Sequence, residues 1–187
     1  MSSLALKKLA TYSDLNDLPE NRVGEIIHGE LSVSPRPAAI HARASSRLGA
    51  DLIGPFDRGK GGPGGWIILD EPELHIVGQV LVPDIAGWRR ERMPQLPKVA
   101  AFELAPDWIC EVLSESTAGG DRSLKMPLYA QAQVQHLWLV DPLVKTVEVY
   151  NLEGLSWRVV ATYQGSAKVR APPFEAVELD LEALWAT

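Results

Sequence analysis

The chain has 187 residues, 46% of them hydrophobic, with a mean hydropathy of −0.03, enough for one well-buried domain. Its formal net charge of −6 and pI near 5.2 argue against tight non-specific nucleic-acid binding, which needs basic patches to displace counterions. No apolar run approaches the roughly 18 residues of a membrane span, and the single cysteine, Cys110, excludes an internal disulfide framework and a multi-cysteine zinc site.

Residues 1–20 read as an irregular lead-in to a single domain over 1–187, with Ser13 and Asp14 as helix caps. The opening MSSLALKKLATYSDL lacks the charged start, long apolar centre and small-residue cleavage site of a secretory signal, so a cytoplasmic protein is expected. From Gly24, GEIIHGELSVSP reads as two short strands around a His28-Gly29 turn. The next segment, Ala38–Ile53, predicts a helix: Ile40, Ala44, Leu48 and Leu52 recur at helical spacing and Gly54-Pro55 supplies a stop. That helix starts with His41 and carries Arg43 and Arg47 one turn apart. The two arginines suit phosphate binding, but a solvated helix face explains them more simply.

Residues 57–65, DRGKGGPGG, form a glycine-rich connection rather than a phosphate cradle, because no GxxxxGK-S/T pattern occurs and no helix follows. Trp66–Asp70, Leu74–Val77 and Val80–Trp88 read as successive antiparallel strands. WRRERMPQLPKV, from Trp88, is an exposed loop, and Trp108–Leu113 a short apolar strand. Arg122–Gln133 reads as a helix in which Pro127 either sits near the first turn or kinks it. His136–Val140 and Thr146–Tyr150 are strands around Asp141-Pro142, Leu155–Tyr163 adds another, and a short helix closes the chain from Asp180 to Trp185. The sum is an α+β (or, by count, α/β) protein: a mixed sheet flanked by helices.

The chemistry concentrates in WICEVLSESTAGGDRSLK, from Trp108 to Lys125. Glu111 stands in a run that otherwise reads as a buried strand, and a buried ionised carboxylate without a partner costs several kcal/mol. Asp84, in VLVPDIAGW, is a second strand-borne carboxylate, and Lys125 follows Glu111 by fourteen positions. On a strand, Ile109, Glu111 and Leu113 share one face, and Trp108, Cys110 and Val112 the other. If the strands of Asp84 and Glu111 are neighbours, the two carboxylates project side by side and repel unless a cation or a proton intervenes. Oxygen-only ligation of this kind suits Mg²⁺. Singly, each reads better in a structural role, Asp84 as a turn residue after Pro83, Glu111 as a salt-bridge partner and Lys125 as a solvated lysine; together the three favour a site. Glu25, in VGEIIHGE, is a third carboxylate in an apolar setting, suited either to orienting water or Lys125 or to a turn contact. Asp121 reads as the N-cap of the following helix. The four histidines lack H-x-H or HExxH spacing, and Ser114 and Ser116 lack a G-x-S-x-G context, so zinc-hydrolase and serine-hydrolase readings are weak.

The order GEIIHGEL, a helix with His41, VPDI, WICEVLSEST, DRSLK and LYAQAQVQHLWLVDP resembles the Uma2 family, also called DUF820, restriction-endonuclease-like proteins of the PD-(D/E)XK nuclease superfamily. The resemblance runs from about Tyr12 to the C-terminus. It implies a restriction-endonuclease-like core, with metal ligation by Asp84, Glu111 and the Val112 carbonyl. Lys125 is implied as the catalytic lysine, and Glu25 as the N-terminal glutamate that orients it or water. The superfamily's motif lysine lies two residues after the acid, where this chain has Leu113, so Lys125 takes that role from the next helix by inference. The expected function is a Mg²⁺-dependent endonuclease acting on DNA, with Mn²⁺ as a substitute metal. A homodimer is expected because such enzymes cut two strands with two subunits, although Trp138, Trp157 and Trp185 are assigned to core rather than interface. The alternatives are a catalytically silent nuclease fold serving as an interaction or nucleic-acid-binding module, which the acidic pI and displaced lysine favour, and a hydrolase of small phosphate esters.

Overall fold

The computed structural model describes residues 9–186. Much of the N-terminal lead-in, residues 1–8, therefore lies outside the described residues. The rest of that segment holds a one-turn helix, α1 (Tyr12–Asn16). Its cap is Thr11, whose N–H and hydroxyl both donate to Asp14 Oδ2, at 2.7 and 2.8 Å; Ser13 and Asp14 fall inside the helix. A hairpin follows, β1 (Arg22–Ile27) and β2 (Glu30–Pro35). Both turn residues, His28 and Gly29, take positive φ, as a two-residue hairpin turn requires.

Helix α2 (Ala39–Leu52) buries His41, Ala44, Leu48, Gly49 and Leu52. Ile40 is exposed, so the inward stripe starts at the histidine. Gly54-Pro55 does not stop the chain from winding. A π-helical turn, Ile53–Asp57, carries it through Pro55, since the wider i→i+5 spacing accommodates a residue with no N–H to give.

Two sheets dominate. The six-stranded sheet has the order β10-β9-β8-β7-β6-β3, from β3 (Trp66–Asp70), β6 (Ile85–Arg89), β7 (Trp108–Val112), β8 (His136–Asp141), β9 (Thr146–Glu153) and β10 (Ser156–Gln164). Only β7 and β8 pair in parallel. A smaller antiparallel sheet, β2-β1-β5-β4, adds β4 (Leu74–Ile76) and β5 (Gln79–Leu81) to the hairpin. The span Val80–Trp88 is thus two strands in two sheets. Pro83 cannot donate to a ladder, and the chain crosses from β5 to β6 over Val82-Pro83-Asp84.

Alternation along β7 decides the layers. Trp108, Cys110 and Val112 pack with Ala44, Leu48 and Leu52 of α2, with Trp138, and with Phe174 near the C-terminus. Ile109 and Leu113 face the other side, with Leu128, Tyr129 and the small sheet's Leu74 and Leu81. Every residue of β7 is buried, so Glu111 is a carboxylate inside the core. Trp138 is buried; Trp157 and Trp185 are partly buried against the two clusters.

A parallel β7–β8 pair needs a crossover, and helical residues 118–131 supply it. They comprise α3 (Ala118–Gly120), a π-helical turn Asp121–Lys125, and α4 (Met126–Gln131) with Pro127 in its first turn. The helix begins before Arg122, and Asp121 lies within it rather than capping it. Short strands β11 (Lys168–Val169) and β12 (Leu179–Asp180) lead to α5 (Leu181–Trp185), capped by Asp180 Oδ1, which accepts from the Glu182 and Ala183 N–H groups.

Candidate functional site

Ile85 pairs with Cys110, so Asp84, one residue earlier, falls beside Glu111 where β6 begins. The Val112 N–H donates to Asp84 Oδ2 at 2.6 Å and fixes that carboxylate at the end of β7. A strand residue presents its N–H and C=O to the same side, so the Val112 carbonyl shares this strand edge. His41, in the first turn of α2, places Nε2 3.3 Å from Asp84 Oδ1. Its Nδ1 is buried without a hydrogen-bond partner.

Glu25 arrives from the small sheet. Its Oε1 accepts from the Val82 N–H at 2.8 Å, just before the crossing to β6. Lys125 comes from the crossover helix and gathers the carboxylates. Its Nζ lies 3.1 Å from Glu25 Oε1, 3.3 Å from Glu111 Oε1 and 3.3 Å from Asp121 Oδ1. Asp121, Lys125 and Tyr129 recur every four residues and so share one helix side; the Tyr129 hydroxyl donates to Glu111 Oε1 at 2.5 Å.

Burial sets the electrostatics. It raises the Glu111 pKa well above the ordinary carboxylate value; Asp121, Asp84 and Glu25 push the same way and Lys125 opposes them. Asp121 is raised by burial too, against Lys125 and the Thr117 hydroxyl. For Lys125, burial favours the neutral amine, but Glu111, Glu25 and Asp121 together outweigh it and carry the pKa above the usual lysine value. At neutral pH Lys125 is an ammonium. Burial likewise lowers the His41 pKa less than Asp84, the Val112 backbone and Asp121 raise it.

Glu25, His41, Asp84, Glu111, Asp121 and Lys125 line one cleft of about 260 Å³, together with Ser114, Ser116, Thr117, Arg36 and Glu71. Five carboxylates (Glu25, Glu71, Asp84, Glu111, Asp121) face two fixed cations (Arg36, Lys125), a formal excess of three negative charges that invites a cation.

A family model, Uma2, described as "Putative restriction endonuclease", matches residues 9–182. The chain belongs to the Uma2 family. A crystal structure of a "putative nuclease belonging to DUF820" from Anabaena variabilis shares its fold. The TM-score is 0.73 and the identity 23%, over 92% of this chain and 96% of that one. No curated protein sequence matches.

In this Uma2 chain, all the side chains expected at the site, Glu25, Asp84, Glu111 and Lys125, come to one cleft. Asp121 and His41 line the same cleft, and the fully buried Tyr129 reaches it only through its bond to Glu111. Asp121 and Tyr129 each stand four residues from Lys125, a signal present in the sequence. His41 opens the stripe that continues at Ala44, Leu48 and Leu52. Arg43 and Arg47 belong elsewhere. Arg43 Nε donates to the Ala186 carbonyl at 2.8 Å and Arg47 to that of Ala183, clasping α2 to the C-terminal helix. Among the described residues, no three His, Cys, Asp or Glu side chains form a metal-binding group. The donors fit a hard divalent ion that takes one or two carboxylates and keeps several waters.

Proposed function

We propose that this Uma2 protein is a divalent-metal-dependent endonuclease that hydrolyses phosphodiester bonds of DNA. Asp84, Glu111 and the Val112 carbonyl would hold the ion, Mg²⁺ with Mn²⁺ as a substitute. The observation that carries the reading is the convergence of Lys125 on Glu111, beside Asp84, in an acid-rich cleft. When bound, such an ion lowers the pKa of water and offsets negative charge building on a phosphate. Lys125 stays protonated among its three carboxylates, so it donates hydrogen bonds and positive charge to an attacking water or a phosphate and takes no proton. Glu25, 3.1 Å from Nζ, aims the ammonium. Tyr129 occupies one Glu111 oxygen and restricts how that carboxylate turns.

Supercoiled plasmid incubated with protein and Mg²⁺ or Mn²⁺ is expected to be nicked or linearised. EDTA and Asp84→Ala should each abolish the cleavage. Full metal-dependent cleavage by Asp84→Ala would sink the site assignment. A second reading, a catalytically silent nuclease fold used as a binding module, is favoured by one observation: Lys125 gives Glu25, Glu111 and Asp121 each an ion-pair partner from within the chain. Absence of both cleavage and metal binding would select it. A cytoplasmic homodimer completes the proposal, supported by exposed Leu155, Val159 and Val160 on and beside the edge strand β10. Sedimentation giving a monomer at every concentration would remove the dimer.

A further inference from the structure

We propose that Arg36 is a contact for a backbone phosphate of the DNA strand in this cleft, and that Glu71 is the internal carboxylate which that phosphate displaces. The inference rests on the nuclease reading above and names how the substrate is held. A phosphodiester brings negative charge into a lining that is already acidic, and a bound divalent ion would still leave that lining one charge negative. The strand therefore needs a cation from the chain. Lys125 and Arg36 are the two fixed cations that line the cleft. The Lys125 ammonium has three N–H donors and three carboxylates within 3.3 Å, so a phosphate meets competition there from Glu25, Glu111 and Asp121 together.

Arg36 differs in three respects. The first is spare capacity. A guanidinium carries five N–H donors in a fork that matches two phosphate oxygens. One nitrogen, Nη2, donates to the Glu20 carbonyl at 3.1 Å. Another, Nη1, stands 3.6 Å from Glu71 Oε2, an ion pair too long for a hydrogen bond. The second is access. The side chains of Arg36 and Glu71 are 57% and 44% exposed, so parting them costs little and leaves both in water. The third is placement. Arg36 follows Pro35, the last residue of β2, and precedes Pro37, which keeps its backbone extended. Glu71 takes a φ of +44°, uncommon for a residue with a side chain, and its N–H donates to the Asp84 carbonyl at 3.0 Å. The backbone thus fixes the pair beside the residue proposed to hold the ion, while the two charged ends are free to separate. A carboxylate and a phosphate compete for the same fork, so the substrate takes the place of Glu71.

The test titrates a fluorescein-labelled DNA duplex with the full chain in Mg²⁺ and in Ca²⁺, which also takes oxygen donors. Anisotropy is read before cleavage accumulates, at several salt concentrations, and circular dichroism checks that each variant folds. Arg36→Gln is expected to weaken binding about tenfold, the worth of one hydrogen bond to a charged group. It should also lower the slope of log Kd against log salt by about one. Arg36→Lys, which keeps the charge but not the fork, should recover part of the loss. Glu71→Gln should do the opposite and tighten binding a few-fold, about the strength of an exposed ion pair. Because any lost negative charge favours DNA, the decisive measurement is the double variant: in an Arg36→Gln background the Glu71→Gln gain should largely vanish. Equal weakening by the two single substitutions would make the pair structural and overturn the proposal. So would wild-type affinity in Arg36→Gln, or a Glu71→Gln gain of the same size in both backgrounds; metal-dependent cleavage that Asp84→Ala abolishes would then leave the nuclease reading standing. A wild type that neither binds nor cuts DNA with any divalent ion overturns both.

Discussion

Lys125 is the residue on which the buried charges depend. It is 9% exposed and touches three carboxylates, so removing it strands anions in the core. Breaking one side of a buried ion pair costs about 3–5 kcal/mol, and we expect a loss of that order for Lys125→Met in urea unfolding. A loss below ~1 kcal/mol, the range of exposed pairs, would mean that the ammonium is solvated. Two histidines give opposite pH signatures. Burial lowers the His136 pKa, so the fold disfavours its charged form. Its stabilising effect is present above the ordinary value of 6.5 and is lost as pH falls through the depressed folded value. His41 is raised, so its contribution is present below 6.5 and is lost as pH rises through the elevated folded value. NMR titration of the imidazole protons should place the two on either side of 6.5. Glu111, Asp84 and Lys125 were legible because a charged residue inside an apolar run demands a partner. Asp121 was misread because, four residues before Lys125 and just after two glycines, it looks like a cap; only the helix starting at Ala118 turns it inward.

Elements show where local rules were overridden. Both prolines expected to end or kink a helix, Pro55 and Pro127, sit in or just after π-helical turns. The wider turn absorbs the missing N–H, and in the second case the turn ends on Lys125 itself. Proline is visible in a sequence; the choice between stopping and widening depends on burial of the flanking turns, which is not. Strand alternation in β7 was legible to the residue, because a period of two allows no other partition once one face is buried. The break of Val80–Trp88 into β5 and β6 was not, since both halves are apolar and only tertiary pairing distinguishes their sheets. At the C-terminus, Asp180 caps α5, and Asp180→Ala should cost about 1 kcal/mol. The cleft lies on other elements, so Mn²⁺ binding by this variant should match wild type. Altered binding would show that the α2–α5 clasp transmits to His41.

At the scale of the whole molecule, net charge and site architecture lead to separate expectations. With a formal charge of −6, the protein should not retain duplex DNA in EDTA at physiological salt. Adding a divalent ion should produce binding that Asp84→Asn lacks, measured by fluorescence anisotropy. Tight metal-free binding would contradict the acidic-cleft account. The single domain read from the sequence calls for one cooperative urea transition, with tryptophan fluorescence and circular dichroism coincident; two separated transitions would divide the chain. The site straddles the two sheets: Glu25 is carried by the small one, whereas Glu111 and Lys125 belong to the β7–β8 crossover unit. The Val82 amide spans the gap, bonded to the Glu25 carboxylate instead of to a neighbouring strand. Its deuterium exchange is therefore a clock for parting of the sheets, ticking at the rate the cleft opens while the amides of β7 stay protected.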